Sequence, residues 1–508
     1  MSNSPSVESK NHSFFDKGVI SVSIILVISV IMRILLFPFN IPLTLDGLSY
    51  FFDASDFSIL GHLTSIGTHD VWPIFLSFFF TIVRSDNFLD YMALQRGITI
   101  GLSVLTIIPV YFLCKRFIEK PYAIAATAIF AFDPRIIQNS LLGITEPLYM
   151  LLVSTAFALY FSSKRKLMYI SFALIGLSCN VRTEGFFVFL PMIVMLYVRN
   201  RKEDKIILKV ILAGAIFSLI FLPTMLQNIG SHGSDVLSSY ISQGTSQIAT
   251  TSHHAGTIGL IKNAVINVIK LGGWSLVPIF IVLLPIGLYF FIKEQGIDKM
   301  TIIVFIILML FPVFYAFALN NQDTRYMYPL FPLFSVVSAL TIKKALGKTR
   351  HQNIALLLVV GAILLVSSAF LEYKKFDYDH QGNAFGIARE VVSIAGGVNN
   401  YYPEDSYIVP VQIPQKWPVL KSSINFKTAV IPTDGFDSLS TYIYSSEKNG
   451  LTHLVVDGQK SRPQFLNDVF NNEGKYSYLT KVFDSYDHGY KYHVKIYKID
   501  YDLFNKNK

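Results

Sequence analysis

The feature that most limits how this chain can fold is a succession of apolar segments, each about as long as a membrane is thick. A spanning helix needs roughly 17–25 mostly apolar residues, because each residue advances it about 1.5 Å through a hydrocarbon layer of about 30 Å. Segments near 18–39, 94–113, 121–138, 143–161, 167–181, 184–198, 206–226, 274–292, 301–319, 326–342 and 354–370 meet or approach that description, several of them being short or closely adjoined. They predict a polytopic α-helical membrane protein with about eleven transmembrane helices. The stretch Trp72–Val83 is apolar but spans only about a dozen residues, and reads as a re-entrant or interfacial helix. Charged residues make up 15% of the 508 positions, against roughly 25% in a soluble domain, which agrees with the segment pattern.

The first apolar run is too long for the core of a cleavable signal and lacks a small-x-small cleavage site, so it reads as a retained span after a cytoplasmic segment, 1–17. Cys114 and Cys179 lie in or beside apolar runs and supply neither a disulfide framework nor metal-ligand spacing.

Lys and Arg sort between the loops. Alternate loops carry Lys115, Arg116 and Lys120, then Lys164, Arg165 and Lys166, then Arg199, Arg201, Lys202, Lys205 and Lys209. Lys293 and Lys299, then Lys343, Lys344, Lys348 and Arg350, continue the series. Basic residues concentrate on the cytoplasmic side of membrane proteins, so this set and the N-terminus are placed there. The net charge of +9 is then largely a membrane signature, and nucleic acid is not a predicted partner. The plasma membrane is the expected location.

The same assignment puts outside the loop 40–93, the turn from Asp133 to Glu146, the turn from Arg182 to Glu184, the loop 227–273 and the segment Asn320–Arg325. An odd number of spans also puts 371–508 outside. That region is polar and mixes a helical stretch, Ala384–Ile394, with strand-like runs at Tyr407–Gln412, Thr452–Asp457 and Tyr492–Ile499. It is read as an extracytoplasmic α/β domain of roughly 130 residues, following a transmembrane domain over 18–370.

Charged groups at span ends are the functional candidates. Asp46, a few residues past the first span, is placed to take a proton from an acceptor hydroxyl, or else is a solvated loop residue or helix cap. Asp53 and Asp56 share a helix face; they read more readily as a solvated face than as oxygen ligands for a divalent cation. His69 and Asp70 form either an ordinary turn or a coupled pair supporting the site. Glu146, in GITEPLYM, suits a helix start and equally a site acid. Arg182 and Glu184, in NVRTEGF, either pair with each other or present Arg182 to a phosphate, whose geometry a guanidinium fits. Arg325, in NNQDTRYMYPLFP, is either an interfacial anchor or a phosphate contact. The topology places Asp46, His69, Glu146, Arg182, Glu184 and Arg325 on one side of the membrane.

Taken in order, Asp46 after the first span, HDVWPIF at 69–75, LLGITEPLYMLL at 141–152, LIGLSCNVRTEGFFVFLP at 174–191 and TRYMYPLFPL at 324–333 resemble the GT-C glycosyltransferases. The similarity is to the dolichyl-phosphate-mannose protein mannosyltransferase and aminoarabinose-transferase branch, including archaeal members. It covers roughly residues 18–370. The resemblance implies a polyprenyl- or dolichyl-phosphate sugar donor and inverting transfer, of a hexose such as mannose, to a hydroxyl on a protein or glycan acceptor outside the cytoplasm. It implies Asp46 as general base, with Arg182 and Arg325 as donor-phosphate contacts. No cofactor is expected to be required, and a divalent metal is compatible with the sequence without being predicted by it. Two departures stand out. Asp46 is followed by Gly47 where the family often has a second acid, and no Trp-Trp-Asp-Tyr-Gly run is present, which argues against transfer of a whole glycan to asparagine.

Two rival readings are a lipid or solute transporter or flippase, and a membrane anchor for the terminal domain. The first calls for internal two-fold similarity and broken helices near the midplane, which the sequence does not display. The second needs only one or two spans.

Overall fold

The computed structural model describes residues 17–63, 71–232, 258–294, 296–395, 398–401, 407–414, 416–424 and 429–506. The chain divides into two compact units. The first comprises Met1–Phe37, Ile66–Val71 and Gly97–Phe370; the second comprises Pro38–Ser65, Trp72–Arg96 and Leu371–Lys508.

Helices run in the order α1 (Lys17–Leu35), α2 (Leu45–Leu60), α3 (Val71–Ile82), α4 (Phe88–Leu105), α5 (Ile107–Phe117) and α6 (Lys120–Ala131), then α7 (Pro134–Asn139), α8 (Glu146–Tyr160), α9 (Arg165–Val181), α10 (Phe186–Asn200) and α11 (Ile206–His232). Further helices span Phe280–Lys293, Ile297–Ala318, Phe331–Leu346 and Gln352–Ala395. Every one of the expected apolar segments falls on helix. Among the described residues, six helices are long and apolar enough to cross a membrane, or seven if the pair Ile258–Leu276 and Phe280–Lys293, bent by 107°, counts as one span. Pro278 lies in that break, where its missing N–H and ring oppose a continuous helix. Helices α8, α9 and α10 hold 15, 17 and 15 residues. They are short because part of their apolar length goes into turns: Gly143 has φ +72° before α8, and Thr183–Gly185 forms a 3-10 turn before α10.

In the first unit α8 packs on α9, α9 on α11, and α10 on Ile297–Ala318. Phe189 and Phe217 stack at 3.8 Å and Phe157 and Phe305 at 5.1 Å. Small residues admit the close approaches, as is usual where helices meet in lipid: a Cβ on Gly176 would lie 2.8 Å from the Phe217 carbonyl oxygen. The buried guanidinium of Arg33 is held within the bundle through its two terminal nitrogens, Nη1 donating to the Ser29 carbonyl at 3.1 Å and Nη2 to the Ser103 hydroxyl at 3.0 Å.

The second unit joins α2, α3 and the start of α4 to the C-terminal residues. Trp417 stacks on Tyr91 at 3.8 Å and lies edge-on to Phe51 and Phe80. The Ser55 hydroxyl donates to the Val419 carbonyl. Asp56 is fully buried and accepts the Lys421 backbone N–H at 3.0 Å. This corrects the expectation of a solvated face for Asp56, because the partner surface comes from 365 residues away.

Residues 398–499 contribute a parallel pair, β1 (Val398–Asn399) with β2 (Ala429–Val430), and an antiparallel sheet in the order β3-β5-β4. Its strands are β3 (His453–Asp457), β4 (Leu479–Asp484) and β5 (Val494–Ile499), with Val455 paired to Ile496. The strands expected at Thr452–Asp457 and Tyr492–Ile499 are thus present. The run Tyr407–Gln412 is not a strand but contains a helical turn, Ile408–Val411; Pro410 has no N–H to give a sheet ladder. Ala384–Ile394 is helical as expected, but as the end of one 44-residue helix that begins at Gln352.

Candidate active site in the first helical unit

Three separate segments build one charged cluster. The first is the start of α8. After the Gly143 turn, Glu146 and Pro147 open the helix, which suits a carboxylate near the positive helix end and a proline in the first turn. Glu146 is 1% exposed. The second is the reversal between α9 and α10, which is tight: a Cβ on Gly185 would lie 2.7 Å from the Cys179 sulfur. Arg182 takes an extended conformation there, its N–H bonded to the Ser178 carbonyl at 2.8 Å. The third is the 3-10 helix Thr324–Leu330, capped by Asp323, whose Oδ1 accepts the Arg325 N–H at 2.9 Å.

Arg182 is gripped from both sides. Its Nη1 donates to Glu146 Oε1 at 2.6 Å and to the Thr145 hydroxyl at 3.1 Å; its Nη2 donates to Glu184 Oε1 at 2.7 Å. Arg325 Nε contacts Asp323 Oδ2 at 2.5 Å and lies 3.7 Å from Glu146 Oε1. Glu146 therefore bridges two guanidiniums, and the cluster carries one more acid than base. Such pairs offset the desolvation of their charges only with good hydrogen-bond geometry, which Arg182 has. A recess beside the cluster is walled by Tyr149, Phe187, Met309, Pro312 and Tyr326. Oriented guanidiniums against apolar walls form an arrangement that can receive an oxyanion and hold a polar substrate in register.

Of the residues singled out in the sequence, the structure brings Glu146, Arg182, Glu184 and Arg325 together. The pairing of Arg182 with Glu184 is real, and it coexists with the contact to Glu146. Asp46 belongs to the second unit, where it is exposed in the first turn of α2; Thr44, not Asp46, holds the capping position. His69 and Asp70 lie outside the described residues. Asp323 was not singled out, although an acid two positions before an arginine at a helix start was a usable signal. Tyr149 and Tyr326 were also missed, because an aromatic in an apolar run carries no mark of the side it faces. Among the described residues no group of three or more His, Cys, Asp or Glu is placed to hold a metal ion.

Residues 71–226 match the family model described as dolichyl-phosphate-mannose-protein mannosyltransferase. No curated protein matches the chain significantly. Among solved structures, ArnT from Cupriavidus metallidurans bound to undecaprenyl phosphate is similar with TM-score 0.55 and 9% identity, over 94% of this chain and 97% of that one. The oligosaccharyltransferase of Archaeoglobus fulgidus, crystallised with zinc and sulfate, matches with TM-score 0.52 and 15% identity over 85% and 68%. AglB of the same organism, in complex with an inhibitory peptide and a dolichol-phosphate, matches with TM-score 0.52 and 14% identity over 86% and 69%. The chain thus has the fold of the GT-C membrane glycosyltransferases, with the dolichyl-phosphate-mannose-protein mannosyltransferase signature across residues 71–226.

Proposed function

We propose that this protein is a membrane glycosyltransferase that moves a sugar, a hexose such as mannose, from a polyprenyl-phosphate donor to a hydroxyl acceptor at the extracytoplasmic surface. The observation that carries the reading is the Glu146–Arg182–Glu184–Arg325 cluster, most of which falls in the segment covered by the mannosyltransferase model. Two structurally similar proteins, one with undecaprenyl phosphate and one with dolichol-phosphate, support a lipid-phosphate donor. A protein or glycan acceptor is assigned on the same grounds, since another similar structure has a tethered acceptor peptide.

In this reading Arg182 and Arg325 meet the donor phosphate, exchanging part of their contact with Glu184 and Asp323 for phosphate oxygens, while Glu146 stays in place to hold both guanidiniums. Asp46 is the general base. It takes the acceptor hydroxyl proton as that oxygen attacks the anomeric carbon from the face opposite the phosphate. The bond to the phosphate oxygen breaks, and the lipid phosphate leaves as an anion, so no separate general acid is assigned. His69 and Asp70 support the base. No cofactor or metal ion is assigned a step.

A positioned base contributes about 10²- to 10⁴-fold. Asp46→Asn in proteoliposomes supplied with labelled dolichyl-phosphate mannose and membrane acceptor should therefore lose transfer by that factor while unfolding at the wild-type temperature. Unchanged turnover would remove Asp46 from the mechanism. Mass spectrometry of glycans from cells lacking the chain would identify the acceptor.

A further inference from the structure

At the other end of α9 from Arg182 lies a second cluster of charge. Helix α9 holds 17 residues, so its ends stand about 25 Å apart, and a group at Arg165 is remote from the Glu146–Arg182 pair. Here the turn between α10 and α11 and the start of α9 enclose an open cup of about 580 Å³. Arg165, Lys202, Lys205 and Lys209 line it against Glu203 and Asp204, an excess of two positive charges. Glu203 is already committed, bonded to Lys209 at 2.6 Å and Arg165 at 3.1 Å. Lys202 and Lys205 are exposed and make no ion pair among the described residues.

The cup has an apolar side as well. Leu208 and Leu212 line it and are 61% and 45% exposed. They continue into an α11 surface of mean hydropathy 2.5 with only 17% of its window buried. Unsatisfied cations directly above exposed aliphatic side chains match one kind of ligand: a phosphate with acyl chains attached.

We propose that this cup binds the phosphate headgroup of an anionic bilayer phospholipid, with Lys202 and Lys205 on the phosphate and Leu208 and Leu212 on the first methylenes of its chains. A soluble anion would use the cations and leave the leucines uncovered. A basic residue near an anionic surface contributes about 1 kcal/mol, so removing both lysines should weaken lipid retention about thirtyfold.

The test uses the full chain in phosphatidylcholine nanodiscs doped with phosphatidylglycerol, with retained lipid counted by native mass spectrometry. Lys205 has φ +56°, so the double variant is Lys202→Ala with Lys205→Asn, asparagine being tolerant of that conformation. Preferential retention of phosphatidylglycerol by the wild type, its loss in this variant and in Leu208→Asn, and its persistence in Lys202→Arg with Lys205→Arg are the expected results. The arginine pair keeps the test decisive should the first variant unfold. Equal retention in wild type and the Ala/Asn variant would overturn the proposal, as would displacement of the lipid by millimolar inorganic phosphate, which would mark the cup as a free-anion site.

Discussion

At Arg182 one guanidinium is held by two carboxylates, one 1% and one 15% exposed, and that inequality predicts unequal consequences. Removing one partner of a buried ion pair strands the other charge, at a cost of about 3–5 kcal/mol. Arg182→Met leaves Glu146 with the 3.7 Å contact to Arg325 and a long hydrogen bond, 3.4 Å, from the Thr145 hydroxyl, so a loss of about 3 kcal/mol is expected, with lower thermal stability in detergent. Adding Glu146→Gln should restore a good part of it, since the stranded charge is then gone. Glu184→Gln should cost less, its carboxylate being better solvated. If Arg182→Met proved no more harmful than Glu184→Gln, the cluster would not be holding the site together. The residues of this cluster could be named from the sequence because charges at span ends are rare and costly. Their partners could not: Glu146 and Arg182 are 36 positions apart, and nothing local to either encodes the angle at which α8 meets α9.

Helix identity was legible from apolar length and helix-start chemistry, as at Glu146-Pro147. Helix contact was legible only as small residues awaiting a neighbour. Gly287, in Phe280–Lys293, faces Phe331–Leu346 so closely that a Cβ there would collide with the Val337 carbonyl. Crowding a packed interface costs about 1–3 kcal/mol, and Gly287→Ala should lower the unfolding temperature accordingly. Gly214, around which a Cβ meets nothing within 4 Å, supplies the control: Gly214→Ala should be neutral or stabilising. Equal effects at the two sites would contradict the close approach. At Tyr407–Gln412 the strand-like apolar run misled because hydropathy does not register the backbone donor that Pro410 lacks.

At the scale of the whole molecule, carboxylates held by nearby cations set how the fold meets acid, Glu119, Glu203 and Glu294 in the first unit among them. The second unit carries further carboxylates whose folded pKa values are depressed. Asp468 is pushed down to about 2 by hydrogen bonds from Lys475, Tyr476 and Asn472, and Glu473 is held below its usual range by Lys495 and Lys481. An unfolded aspartate titrates near 3.9. A depressed carboxylate stabilises the fold fully above its unfolded pKa and loses that stabilisation as pH falls through the folded value. Tertiary structure in the second unit should therefore weaken between about pH 4 and pH 2, followed by near-ultraviolet circular dichroism, while the helical signal persists. Asp468→Asn should flatten that limb, and an unchanged limb would remove Asp468 from it.

The sequence by itself determined that this chain is a multi-pass helical membrane protein, where its helices lie, which charged residues sit at their ends, and which glycosyltransferase fold they serve. These are consequences of local composition, because a bilayer imposes one length and one polarity on every segment that crosses it. Only the tertiary structure decided that Glu146 bridges two arginines, that Asp323 belongs beside them, that Asp56 is buried against Lys421, and that Lys202 and Lys205 share a cup with bare leucines. The first three depend on distances between segments far apart in the chain, and the cup on how the turn between α10 and α11 meets the start of α9, and packing sets both.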